Sequence, residues 1–227
     1  MSKPPKNPRL PDPRVTAFEF MQRFIVRTEG KAVAEAPSPR NSSDQRIAAA
    51  YESFRPWLRD EFAFRCVYCL SRETWGPLGG QYAIDHFVPA ALAPNQKTEY
   101  TNLLYSCVTC NGVKGNRRVH NPLTVFLNVS IRVEPDGALH SETTEVAQLI
   151  ELLDLNDPRR LEYRALWISV LNLARRFDAE LHRRLLGYPA DLPDRATLKP
   201  PGGKIRPNGI VESHFARRER DELPETY

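Results

Sequence analysis

Apolar positions recur along this chain in two rhythms, one of helical turns and one of short strands. Ile47, Tyr51, Phe54 and Leu58 follow the helical spacing, with Ser43 placed to cap the element and Pro56 placed to kink or shorten it. Residues 144–153 read as a second helix. Leu161, Leu166, Val170, Leu173, Phe177, Leu181 and Leu185 predict one long amphipathic helix over residues 159–186, its wetter faces marked by Arg160, Arg164, Arg175, Arg176, Arg183 and Arg184. Residues 81–84 and 103–106 are short strand candidates. Residues 129–133 and 138–140 flank Glu134-Pro135-Asp136-Gly137, the composition of a hairpin turn. A brief helix is expected to start near Cys110 and to stop at Gly115 or Asn116. Residues 18–27 are apolar, with a pattern that fits helix and strand equally.

The segments between these elements are turn-rich. Residues 1–13 form a basic, proline-rich arm, and residues 31–42 are an Ala, Pro and Ser linker. Residues 75–80 hold a proline and three glycines, and the loop joining the first two strands contains Pro89 and Pro94. From Pro189 onward Pro, Gly and charge dominate, which predicts a poorly ordered tail. There is no internal repeat. The expected division is an arm and linker at 1–42, a cysteine-bracketed core with its preceding helix at 43–120, a hairpin and helical extension at 121–188, and the tail at 189–227. The fold class expected is α+β.

Composition narrows the setting. The 227 residues are 41% hydrophobic, enough for a real core, with a formal net charge of +4. No apolar run approaches the roughly 20 residues that span a bilayer, and the N-terminus lacks the apolar stretch of a secretory signal. A soluble, cytoplasmic protein without a membrane partner is expected. The mild basicity is a weak pointer to nucleic acid, sharpened by the stretch from Cys107 to Arg118, which has three bases and no acid.

The four cysteines say more. They fall as Cys66-Val67-Tyr68-Cys69 and Cys107-Val108-Thr109-Cys110, so two C-x-x-C pairs use every cysteine in the chain. Four thiolates on two tight turns suit a tetrahedral structural zinc. A redox role needs only one pair, and paired disulfides are disfavoured in a reducing compartment.

Around these pairs lie polar residues with chemistry to offer. Asp85 and His86 close an apolar strand. A neutral imidazole near pH 7 can take a proton from water, and a carboxylate beside it can hold a hard cation through oxygen. Asn111 directly follows Cys110, so a zinc would fix its position, and its amide oxygen suits the same cation. Lys114 lies about one helical turn further on and can meet a phosphate as a point charge. Arg117 and Arg118 are further phosphate contacts, or simply exposed arginines. Taken singly, Asp85 and His86 fit an ordinary loop pair, Asn102 a turn residue and Asn111 a helix cap.

Together the residues carry a resemblance. Asp85-His86-x-x-Pro89, then Asn102 before an apolar strand, then Cys107-x-x-Cys110-Asn111-x-x-Lys114-Gly115-Asn116, resembles the HNH endonuclease family in an H-N-N version. The similar stretch runs from about Cys66 to Arg117, under a quarter of the chain. The resemblance implies a ββα-metal core with a separate four-cysteine zinc site, surrounded here by helices. It implies that His86 is the general base and that Asn102 orients the loop and the histidine. Asp85 and Asn111 would hold a catalytic Mg²⁺ or Mn²⁺, and DNA would be the substrate, cut with weak sequence preference. Asn121-Pro122, Gly137, Leu155-Asn156 and the arginines at 159–164 are similar to a prokaryotic defence-associated subgroup of Septu and retron type. That likeness implies a role in antiviral defence and a regulatory partner protein. Separately, the apolar helix between Thr144 and Leu186 exceeds what a core of this size needs. One face of it either docks a partner or a second copy of the chain, forming a homodimer, or packs on the core and completes one domain. Two other classes fit the same residues. A non-catalytic zinc module that binds nucleic acid would need the zinc and the bases but neither Asp85 nor His86, and an interaction scaffold would need only the helices.

Overall fold

The computed structural model describes residues 52–76, 82–125, 131–199 and 210–227. The expectations for residues 1–42, for the capping Ser43 and for Ile47 and Tyr51 lie outside them. Among these residues the fold is a mixture of helices and two small antiparallel sheets, as an α+β chain should be.

Helix α1 (Arg55–Glu61) opens the described chain, and Pro56 sits in its first turn, where a missing N–H costs nothing. The proline expected to kink or shorten the helix begun at Ser43 sits at the start of Arg55–Glu61. Strand β1 (Tyr82–His86) pairs antiparallel with β2 (Leu103–Cys107) in a register that sets Asp85 opposite Leu104 and His86 opposite Leu103. Both expected strands are present, and β1 runs on to include the two residues read as its end. Helix α2 (Val108–Lys114) follows β2 without a loop and packs on both strands. Its N-cap is Cys107, whose sulfur accepts from the Cys110 amide, and Gly115 at φ 52° ends it where the glycine was expected to. After α3 (Pro122–Val125), strands β3 (Arg132–Val133) and β4 (Leu139–His140) form the second hairpin.

That hairpin turn is pressed against a helix. Gly137 has φ 87°, and a Cβ there would lie 2.5 Å from the Leu161 carbonyl oxygen, so only glycine fits. Arg164 reaches back to donate to the Gly137 carbonyl at 2.6 Å and to that of Leu155. Asn156 brackets β4 by accepting from the Leu139 amide and donating to its carbonyl, both at 2.9 Å. Arg160 and Arg164, read from the sequence as surface residues, are thus tied inward.

The long helix expected over residues 159–186 is two. α4 (Thr144–Leu152) leads to α5 (Pro158–Phe177), which stops at Asp178 (φ −148°), and the Asp178 side chain caps α6 (Ala179–Leu186) by accepting from Leu181. α5 leaves Leu166, Leu173 and Phe177 exposed. The poorly ordered tail is also corrected in part. Leu192 and Arg195 are buried, α7 (His214–Glu219) folds back on α1 through Asp60, and Tyr227 is fully buried beside Phe64. Asp60, itself buried, ties the tail down by pairing with Arg195 at 2.8 Å and His214 at 2.9 Å. Residues 200–209, within that expected tail, are outside the described set.

Two apolar clusters hold the β1–β2–α2 unit from both sides. Trp57 and Leu58 of α1 pack with Ile84, Leu103 and Tyr105 on one side. Tyr68, Leu104, Val146, Leu149 and Leu153 pack on the other. A strand pair this short is not stable alone, and these flanking layers supply the burial it lacks.

Candidate metal centre and active site

The cysteines converge. The sulfurs of Cys66, Cys69, Cys107 and Cys110 all lie within 4.8 Å of one another, and none is in a disulfide. Cys66 and Cys69 come from the turn after α1, while Cys107 and Cys110 straddle the β2–α2 junction, so one metal would tie that turn to the helix. Burial pushes the Cys66 thiol well above its ordinary range, whereas hydrogen bonds from Cys107, Cys110 and Cys66 hold Cys69 well below it. Arg160 donates to the Cys110 sulfur at 3.6 Å, a positive charge set against thiolates. Four soft donors in a closed, half-buried cluster fit a structural zinc. Arg160 was not expected here, because nothing in its spacing points at residue 110.

On the neighbouring strand, Asp85 is buried at 3% exposure and both carboxylate oxygens are taken. Tyr68 donates to Oδ2 at 2.6 Å and Lys114 Nζ pairs with Oδ1 at 2.9 Å. Lys114 also donates to the His86 carbonyl at 2.7 Å. The Tyr68 hydroxyl is held well above its ordinary range by burial and by the adjacent carboxylate, so it stays a donor. Tyr68 was missed in the sequence, although it lies between Cys66 and Cys69 and so beside the cluster. Lys114 is 1% exposed, so the residue read as a phosphate contact is buried in an ion pair. Removing either member of such a pair strands a buried charge, typically at a cost of about 3–5 kcal/mol.

His86 points elsewhere. Adjacent residues on a strand face opposite sides, and the His86 ring turns to the loop, with Nε2 2.9 Å from the Lys97 carbonyl. A carbonyl only accepts, so Nε2 carries the hydrogen and Nδ1 is the basic nitrogen. The loop that offers Lys97 is braced by Asn102. Asn102 accepts from the Val88 amide at 2.7 Å and donates to the carbonyls of Val88 at 3.1 Å and Gln96 at 3.3 Å. The side chain is buried, so Asn102→Ala would leave these groups unpaired, a loss of about 1–3 kcal/mol. The expected result is a lower melting temperature together with a looser loop around His86, read as new proteolytic cleavage between Phe87 and Lys97.

The other candidates separate. Asn111 lies within α2, half-buried, where its carbonyl accepts from Gly115. Arg117 bends back and donates to the carbonyls of Val113 and Lys114, capping the helix, while Arg118 is exposed. The structure thus brings Asp85, Lys114 and Tyr68 together, and sets His86 with Asn102 on the loop side. A hard divalent cation at Asp85 would meet a carboxylate already paired on both oxygens, with an ammonium in Coulomb contact. As arranged, Asp85 does not fit that ion. No helix among the described residues is long and apolar enough to cross a membrane. Compared with protein-family models, with characterised proteins and with solved structures, the chain matches none.

Proposed function

We propose that this protein is an HNH-type endonuclease that hydrolyses DNA phosphodiester bonds. The observation that carries this reading is the His86 ring, fixed by the Lys97 carbonyl with Nδ1 as its base, on a loop braced by a buried asparagine. A ring so held removes a proton from water at one defined atom, which is what in-line attack on a phosphodiester requires. The order β1, β2, α2 supports the same reading, because it sets His86, Asn102 and Asn111 on one small unit. The four-cysteine cluster supports it as the clamp that orients α2. His86 Nδ1 takes the proton of the attacking water as its oxygen bonds to phosphorus. The P–O3′ bond breaks and the 3′-oxygen takes up a proton from solvent, while Asn102 holds the loop, leaving 5′-phosphate and 3′-hydroxyl ends. This reading carries weak sequence preference, since no element among the described residues presents a set of base-reading side chains.

One observation favours a second reading, a zinc module that binds nucleic acid without cutting it. The Asp85 carboxylate is neutralised by Lys114 and removed from solvent. A cleavage assay on plasmid, linear and single-stranded DNA, with Mg²⁺ and with Mn²⁺, separates the two. Nicked plasmid with 5′-phosphate ends is expected. Salt-sensitive DNA binding with no cleavage under any of these conditions would overturn the nuclease reading in favour of the binding module.

A further inference from the structure

Helix α5 is the longest element among the described residues and the least covered. Of its 20 residues only Ala174 is buried. Leu166, Leu173 and Phe177 are 61%, 58% and 72% exposed, and Tyr163 is 40% exposed. Large apolar side chains this open, in a line along one helix, mark a surface that another surface covers. The helix is held to its own domain by its other side. Arg164 donates to the Gly137 carbonyl there, and Trp167 stacks on Trp75 with ring centroids 4.7 Å apart.

The open residues keep a strict spacing. Tyr163, Leu166, Val170, Leu173 and Phe177 follow one another in alternating steps of three and four, the a and d positions of a two-stranded coiled coil. The g positions beside them are Glu162, Ser169 and Arg176, all exposed. The e positions are Arg160, Trp167 and Ala174, and the domain itself uses them. Arg160 donates to the Cys110 sulfur and the Leu153 carbonyl, Trp167 lies on Trp75, and Ala174 is buried. A parallel pair sets g of one helix against e of the other, and here no e position is open to a partner. An antiparallel pair sets g against g. With a two-fold axis at Ser169, Glu162 of one protomer faces Arg176 of its partner, and symmetry repeats the pair on the far side. Ser169 meets its own copy on the axis, the one g position where a charge would face itself, and it is neutral.

We propose that the face of α5 from Tyr163 to Phe177 is a homodimer interface, in which two copies of the chain pair antiparallel about an axis at Ser169. The occupant is a second copy because the face is complementary to itself in charge as well as apolar along its centre. A helix of this length is about 30 Å long, so the seam is short. An interface that small gives a dimer that dissociates in the micromolar range rather than a permanent one. The dimer forms whether or not His86 cuts DNA.

The test is sedimentation velocity on the zinc-loaded full chain, run across the micromolar range at low ionic strength, where charge pairs are least screened. Wild-type protein is expected to pass from monomer to dimer. Glu162→Arg and Arg176→Glu each turn two attractive pairs into repulsive ones, and each is expected to weaken the dimer about ten-fold. The double variant Glu162→Arg/Arg176→Glu rebuilds both pairs with their signs exchanged and is expected to dimerise like wild type. Leu173→Asp, which sets a charge in the seam, is expected to be monomeric throughout. Zinc content and circular dichroism check the fold of each variant; if Leu173→Asp does not fold, the charge exchange decides. A wild-type chain that stays monomeric overturns the proposal and leaves residues 18–27 of the same chain, or a different protein, as the cover for α5. A dimer that Leu173→Asp leaves intact overturns it too. Single exchanges without effect, or a double variant that fails to recover, overturn the antiparallel pairing.

Discussion

Chelating the metal from the four-cysteine cluster is expected to unfold the β1–β2–α2 unit rather than merely to loosen it. Cys66 and Cys69 belong to the turn that follows α1, and Cys107 and Cys110 hold the start of α2, so the metal joins segments about forty residues apart in sequence. Structural zinc in small domains has an apparent binding free energy of about 10–16 kcal/mol at neutral pH. Whole domains are stable by about 5–15 kcal/mol. Loss of the metal is therefore of the same size as the whole stability of a domain, or larger. Freshly purified protein should contain one zinc per chain, and chelator treatment or Cys66→Ser should abolish the cooperative melt and drive the protein out of solution. The zinc should also leave on acidification, because the cysteines must be deprotonated to bind metal and take up protons as pH falls. Zinc-free protein with the melting temperature of the purified protein would contradict this.

His86→Ala is expected to lower cleavage by about 10²–10⁴-fold, the usual contribution of a general base. The substitution removes the ring and its bond to Lys97, but it leaves the His86 carbonyl that Lys114 uses and the bonds from Asn102 to the loop. The fold should survive, with zinc content and melting temperature close to wild type. DNA affinity should also hold, since charge and phosphate contacts set it. The informative pairing is single-turnover cleavage against equilibrium binding on the same duplex. Unchanged cleavage by this variant would remove His86 from the reaction.

Much of the site was readable from local pattern, and what was not depends on contacts distant in sequence. The strands at Tyr82–His86 and Leu103–Cys107 follow from apolar runs bounded by turn residues, and the end of α2 follows from Gly115. The two C-x-x-C pairs announce their own convergence because spacing within each pair fixes the geometry of its turn. Lys114 was misplaced because its helical position allows either a surface or a buried ammonium, and only the approach of Asp85 from β1 decides it. Arg160 and Arg164 went astray for the same reason, one reaching Cys110 and the other Gly137. The break at Asp178 was hidden because every residue around it tolerates a helix, and an aspartate that can cap looks like any exposed polar position until the chain turns. The tail misled by composition. Its prolines and charges suggest disorder, yet Leu192, Phe215, Leu223 and Tyr227 are spaced without any period and still meet around Phe64.

The brace formed by Asn102 has an engineering consequence. It grips the connecting loop at Val88 and again at Gln96. Between them the carbonyl of the buried Pro89 accepts from the Leu92 and Ala93 amides, which leaves Ala91, Leu92, Pro94 and Asn95 on the outside. Lengthening a loop whose ends are already fixed is inexpensive, on the order of 0.6 kcal/mol for each doubling. On the nuclease reading proposed above, insertions there can add groove-reading residues beside His86 while the ring and its carbonyl stay in place. That makes the segment the natural graft site for building sequence selectivity onto this scaffold.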